Sequence, residues 1–222
     1  MALWPFSKAD VELGNVDNTS DAAKPVSTAQ QTALDGKVSV GTPLAFPHAL
    51  LGGGEEIYPR DSLTSATVST PTQNLRLVYF TARKSFPTTQ VRVIGGTAVA
   101  AATPTLIENG LFEIDGAGDG TRVAVTGNDT SLYSVANSTY TRLWLASHNI
   151  VIGQRYALSW LVVTSVTAPN HTGMVFVTSA NAEVAISARL VGTIAGQTAT
   201  PASFTAASVL SINMRPYGVI LP

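Results

Sequence analysis

The stretch NLRLVYFTAR, residues 74–83, decides the fold class. Leu75, Leu77, Tyr79 and Thr81 fall on one side of an extended chain and Arg76, Val78 and Phe80 on the other, the period of two that a pleated strand imposes. TRVAVTG, residues 121–127, repeats the habit: Val123 and Val125 face one way, Arg122 and Ala124 the other. Further runs rich in Val, Thr, Leu, Ile and Tyr follow at short spacing: SATVST, QVRVIG, PTLIENGLFEID, SLYSV, YTRLWLAS, RYALSWLVVTS, GMVFVTS, VAISARLV and VLSINMRPYGVIL. Gly, Asn, Asp and Pro punctuate them. IENGLF and EIDGAGDGTR carry Asn-Gly and Asp-Gly, which supply the positive φ of tight hairpins. The expectation is an all-β chain whose residues 61–222 form an antiparallel, jelly-roll-like β-sandwich. Trp144 and Trp160 sit inside strand patterns and read as core.

Residues 1–60 have a different texture. GTPLAFPHALLGGGEEIYPRD contains Pro43, Pro47, Pro59 and three consecutive glycines, and reads as a connector lying over something else. One segment looks helical, STAQQTALDG. Thr28 is its expected cap, with Gln31 completing a capping box and Gly36 at the position of a C-terminal glycine. Isolated helices shorter than ~12–15 residues are marginal in water, so this one needs a partner surface.

Composition narrows the function. Cysteine is absent, which excludes disulfides, thiolate metal sites and cysteine nucleophiles. His48, His148 and His171 lie far apart in sequence and form no zinc pattern. A net charge of -1 argues against a nucleic-acid partner. The longest apolar run falls well short of the ~20 residues that span a bilayer, so no membrane insertion is expected. MALWPFSKADVELG has early acidic residues and too short an apolar run for a secretory signal. Charged residues make up 12% of the chain, about half the usual ~25%. From Leu161 onward only Glu183, Arg189 and Arg215 are charged. Either a Thr/Ser-rich β surface or an oligomer interface produces such a deficit.

The N-terminal segment VDNTSDAAKPVSTAQQTALDGK, residues 16–37, closely resembles a short element repeated in bacteriophage tail-fibre proteins, of the form VDNTSDxxKPVSTxxQxAL. Asn18, Thr19, Ser20, Asp21, Lys24, Pro25, Val26, Ser27, Thr28, Gln31, Ala33 and Leu34 all stand where that pattern puts them. The element spans about a tenth of the chain. The resemblance implies a virion protein made without a signal peptide, with residues 1–60 as an attachment and oligomerisation region. Three copies around one axis would bury Val16, Val26, Ala33 and Leu34. Leu3, Trp4 and Phe6 would anchor the chain in a neighbouring virion protein of tail or capsid. The implied partners are two further copies of the chain, other virion proteins and a host surface glycan.

No chemistry announces itself. Neither a GxSxG nucleophile motif nor a GxxxxGK[ST] phosphate loop occurs, so no catalytic residue, cofactor or resident metal is expected. Glu108, Glu113, Asp115, Asp119 and Asp129 are the carboxylates from which a glycosidase pair would be drawn, in a turn-rich region where acids are common for conformational reasons. DGAGDG, residues 115–120, alternates acid and glycine as a calcium loop does, without the spacing of an EF-hand. Sequons at Asn18, Asn128, Asn137 and Asn170 reflect Asn/Thr-rich β loops. Tyr133, Tyr140, Asn170 and His171 are the candidates for receptor binding, since sugars stack on aromatic faces and bond to Asn and His. The alternative to a receptor-binding fibre is a capsid fibre, decoration or connector protein; a polysaccharide depolymerase is the third reading.

Overall fold

The computed structural model describes residues 27, 28, 30, 53–59, 62–97, 104–165, 168–175 and 189–222. The chain divides into two units, Met1–Thr42 and Pro43–Pro222. The division expected near residue 60 falls inside the second unit, because Glu55, Glu56, Ile57 and Tyr58 are buried there.

In the first unit Thr28 and Gln30 are helical. The helix is capped one residue earlier than Thr28 and Gln31 would do it. Gln30 N donates to Ser27 Oγ at 3.2 Å, and Ser27 N donates back to Gln30 Oε1 at 3.2 Å. Ser27 thus satisfies a donor of the first turn while Gln30 satisfies the cap's own N–H, the reciprocal arrangement of a capping box. Leu3, Trp4, Phe6, Val16, Val26, Ala33 and Leu34 lie outside the described residues.

The described part of the second unit is antiparallel β structure. Its strands are β1 (Glu55–Glu56), β2 (Ser65–Ser69), β3 (Leu75–Thr81), β4 (Phe86–Ile94), β5 (Leu106–Ile114), β6 (Gly120–Val125), β7 (Thr139–Ile150), β8 (Arg155–Val163), β9 (Asn170–Val175), β10 (Val191–Ile194), β11 (Ser203–Phe204), β12 (Met214–Pro216) and β13 (Gly218–Leu221). They form a four-stranded sheet in the order β1-β13-β4-β7, a six-stranded sheet β10-β3-β8-β5-β6-β11 and a three-stranded sheet β12-β9-β2. The chain crosses repeatedly between sheets: β3 lies in the six-stranded sheet, β4 in the four-stranded, β5 and β6 in the six-stranded, β7 in the four-stranded and β8 in the six-stranded. This is the expected jelly-roll-like sandwich.

Burial follows the pleat. On β8, Tyr156, Leu158, Trp160 and Val162 point into a core shared with Val91 and Val93 of β4, Trp144 and Ile150 of β7, and Val219 and Leu221 of β13. Ala157 and Leu161, of opposite parity, enter a second core. β3 divides in the same way. Val78 and Phe80 face the first core, whereas Leu75, Leu77 and Tyr79 join Ile194, Phe204 and Val209 in the second. The middle of the six-stranded sheet is therefore dry on both faces, each fully buried Leu or Val contributing about 1.5–3 kcal/mol. Trp144 and Trp160 are core residues.

Five local expectations are corrected. Asn109-Gly110 is no hairpin turn but the middle of β5. Gly110 N donates to Ser159 Oγ at 3.0 Å, and a Cβ at Gly110 would stand 2.8 Å from that oxygen, so glycine serves here for close strand approach. In EIDGAGDGTR the hairpin is present, with the positive φ at Gly118 and not at Gly116. SLYSV is a turn. VLSINMRPYGVIL breaks at Tyr217 into β12 and β13, which belong to different sheets. β4 also begins earlier than QVRVIG, at Phe86. Pro87 is tolerated because β13 pairs only from Gln90 onward, leaving the Pro87 side of the strand without a neighbour there.

Candidate functional site

Tyr133, Tyr140 and His171 come together, but inside the protein. Leu132 N donates to Asp129 O at 3.1 Å, and Asp129 Oδ1 accepts Ser131 N at 2.9 Å. Asp129 Oδ2 accepts Arg142 Nε as well. This turn rolls Leu132 and Tyr133 inward, with Tyr133 at φ 63, a conformation that side-chain-bearing residues seldom adopt. The Tyr133 ring meets Tyr140 edge-on at 5.4 Å and His171 at 4.5 Å. Tyr140 is half-buried, its hydroxyl accepting Val135 N and donating to Val135 O. Asn170, at the start of β9, is half-buried and its carbonyl accepts Gly96 N at 2.8 Å. Tyr133 and His171 are 1% and 0% exposed, so neither offers a face to a sugar. Burial, with Arg76 adding repulsion, pulls the His171 imidazole down from 6.5 to about 3, which keeps it neutral.

The candidate acids are mostly engaged in holding loops. Glu108 Oε2 accepts Thr200 N. Asp115 Oδ1 accepts Ala117 N and Asp119 N, both at 2.9 Å. Asp119 Oδ1 accepts Ala206 N at 2.8 Å. DGAGDG is thus a loop closed by the Asp115 carboxylate and tied to Ala206 by that of Asp119, and among the described residues no group of three or more His, Asp or Glu is placed to hold a metal ion.

A different site opens at the end of β3, beside the start of β8. It is a cavity of about 550 Å³ lined by Glu55, Glu56, Tyr58, Tyr79, Thr81 and four arginines, Arg83, Arg155, Arg189 and Arg215. Ligand pockets commonly occupy ~300–1,000 Å³. Its two carboxylates are already committed. Glu55 Oε1 accepts Arg83 Nε and Arg83 N, each at 3.0 Å, while Glu56 Oε1 accepts the Tyr217 hydroxyl at 2.6 Å. Among the described residues, four cations against two anions leave an excess of two positive charges on this wall.

Arg155, Arg189 and Arg215 are held by rings and carbonyls. The Arg215 guanidinium lies 4.3 Å from the Tyr58 ring centroid and donates from Nη2 to Tyr79 O at 3.1 Å. Tyr58 in turn donates its hydroxyl to Arg215 O at 2.7 Å. Arg155 lies 4.9 Å from the Tyr79 ring centroid and donates from Nη2 to Arg189 O. Arg189 Nη1 donates to Val209 O. None of the three forms an ion pair among the described residues. Arg155 Nη1 and Arg215 Nε are buried without a hydrogen-bond partner. Burial draws Arg215 down to about 10, Tyr58 opposing it. Burial lowers Arg155 as well, and repulsion from Arg189 adds to it. Burial likewise raises Tyr79 to about 12, against the pull of Arg189 and Arg155.

Sequence reasoning missed this site because its residues come from distant strands. One signal was available: Arg189 and Arg215 are two of the three charges after Leu161. Elsewhere, Leu143 and Leu145 project from the outer face of β7, 68% and 73% exposed, on either side of inward-facing Trp144. No protein-family model matches the chain, and no curated protein does.

Proposed function

We propose that this chain is a structural virion protein of a tailed bacteriophage, a trimeric tail fibre or tail-tip protein that contacts the host cell surface without catalysis. The observation that carries the reading is the Val16–Lys37 segment, with its match to the tail-fibre element. Support comes from the all-β second unit, from the scarcity of charge after Leu161, and from Leu143 and Leu145, apolar bulk of the kind that association covers. Weak sites linked in a trimer gain from avidity, so each need not bind tightly.

The first experiment is the native mass of the purified chain by light scattering behind a sizing column. The expected mass is three times the 23.1 kDa of one chain. A monomer removes the trimeric fibre and favours a decoration or adaptor protein of the virion. Adsorption of the purified trimer to host cells is the second expectation. A trimer that adsorbs to no cell, yet labels the capsid of intact virions, would identify a capsid fibre without a receptor.

A further inference from the structure

We propose that the cavity lined by Arg155, Arg189 and Arg215 binds an oxyanion, the carboxylate or phosphate of an acidic sugar on the host surface. The naming of the host as its source rests on the attachment reading above; the anion site itself does not.

Three observations point to an anion. Among the described residues the wall has an excess of two positive charges, and Glu55 and Glu56 are engaged by Arg83 and Tyr217. Carbonyl partners orient a guanidinium but do not neutralise it, and carbonyls are what Arg155, Arg189 and Arg215 have. All three arginines are only half-buried, so each keeps part of its side chain open to a ligand, although Arg155 Nη1 and Arg215 Nε themselves are buried without a partner. Arginine presents a planar fork of donors that matches a carboxylate or phosphate in two parallel bonds. A neutral sugar would leave that charge uncompensated, and a cation would find no carboxylate free to receive it. A polyanion such as nucleic acid fits poorly, since the chain carries a net charge of -1 and the arginines cluster around one cavity of about 550 Å³.

The rings fix the geometry. Tyr58 and Tyr79 each carry a guanidinium on one face, so Arg215 and Arg155 are held in place before the ligand arrives. Pre-set donors lose less freedom on binding than mobile ones. Among the described residues Arg189 has no such platform, and it makes the third, more adjustable contact.

The test titrates the full chain with sodium glucuronate, inorganic phosphate and glucose, followed by calorimetry and by the arginine side-chain signals in NMR spectra. Saturable binding of glucuronate or phosphate, weakened by added sodium chloride, is the expected result. Glucose at the same concentration should not bind. Arg189→Gln and Arg155→Gln should each weaken the anion at least about tenfold, while Arg92→Gln on β4, outside the cavity, should not. Thermal midpoints of the variants guard against loss of fold, and wild-type selectivity stands even if one variant fails to fold. Equal binding of glucose, or full affinity in both cavity variants, would overturn the proposal. Glucuronate binding by a chain that adsorbs to no cell keeps the anion site and removes the fibre reading. Adsorption without any anion binding does the reverse. If both hold, competition decides the source: soluble glucuronate or phosphate that fails to block adsorption removes the host glycan.

Discussion

The arginine cavity and the Tyr133–His171 cluster both bring ionisable side chains into an apolar interior, and they resolve the conflict in opposite ways. His171 is buried with neither ring nitrogen hydrogen-bonded, and it gives up its proton. Arginine has no such escape. Even drawn down to about 10, Arg215 remains charged at neutral pH. A neutral imidazole can be sealed behind Tyr133 and Tyr140. A charged guanidinium must keep contact with solvent or an exchangeable anion, or bear a heavy desolvation penalty. Of two groups of polar residues, the sealed one is packing and the open one is the candidate site.

Tyr133→Ala should break the sealed cluster outright. It empties a ring-sized space beneath Leu132 and His171, and removal of a buried aromatic costs roughly 3–5 kcal/mol. Urea denaturation should record the loss, while anion binding at the arginine cavity persists wherever the protein stays folded. If instead anion affinity falls in step with stability under conditions that keep the chain folded, the two regions are one cooperative unit and the contrast fails.

A pH series sharpens the same contrast. The folded His171 takes up a proton only near pH 3, whereas in the unfolded chain it does so near 6.5. Between those values the unfolded state binds the extra proton, so stability rises with pH. The contribution is complete above about 6.5 and is lost as pH falls towards 3, at about 1.4 kcal/mol per pH unit for this one group. Arg76, the charged group facing His171, stays protonated throughout, and Tyr133, whose hydroxyl burial pushes up, stays neutral. Denaturation midpoints at several values between pH 7 and 4 should fall more steeply for the wild type than for His171→Gln. Equal slopes would show that His171 is already protonated in the folded protein, and so not sealed.

The fold was largely legible because strand periodicity is a local property. Leu75, Leu77 and Tyr79 share a face in the sequence and in the second core alike. What local pattern did not reveal was the number of layers: Val78 and Phe80 are as buried as their neighbours because a second sheet covers them. Turn chemistry misled at Asn109-Gly110, where the glycine answers to Ser159 across the sheet rather than to a hairpin. The candidate site was less legible. Tyr133 and His171 are aromatic residues beside polar turns, which is the signature of a binding loop and also of a turn rolled into a core. Arg155 and Arg215 sit within strand patterns. Only the pairing of β3 with β8, and of β1 with β13, which follows Arg215 in the chain, brings them near Tyr79 and Tyr58.

Tyr133→Phe is the smallest and most discriminating change. The Tyr133 hydroxyl and Asn109 Oδ1 are buried neighbours, and neither makes a well-formed hydrogen bond to any described group. Deleting an unsatisfied buried hydroxyl removes its desolvation penalty and gives up little in return, so the expected change in stability is within about 1 kcal/mol of zero and can be favourable. The ring contacts to Tyr140 and His171 need no hydroxyl and should survive, leaving the His171 pH slope intact. A loss of more than about 2 kcal/mol would mean that Tyr133 and Asn109 do form a strong buried bond. The cluster would then be a satisfied polar network, and its difference from the arginine cavity would be one of hydrogen bonding as much as of charge.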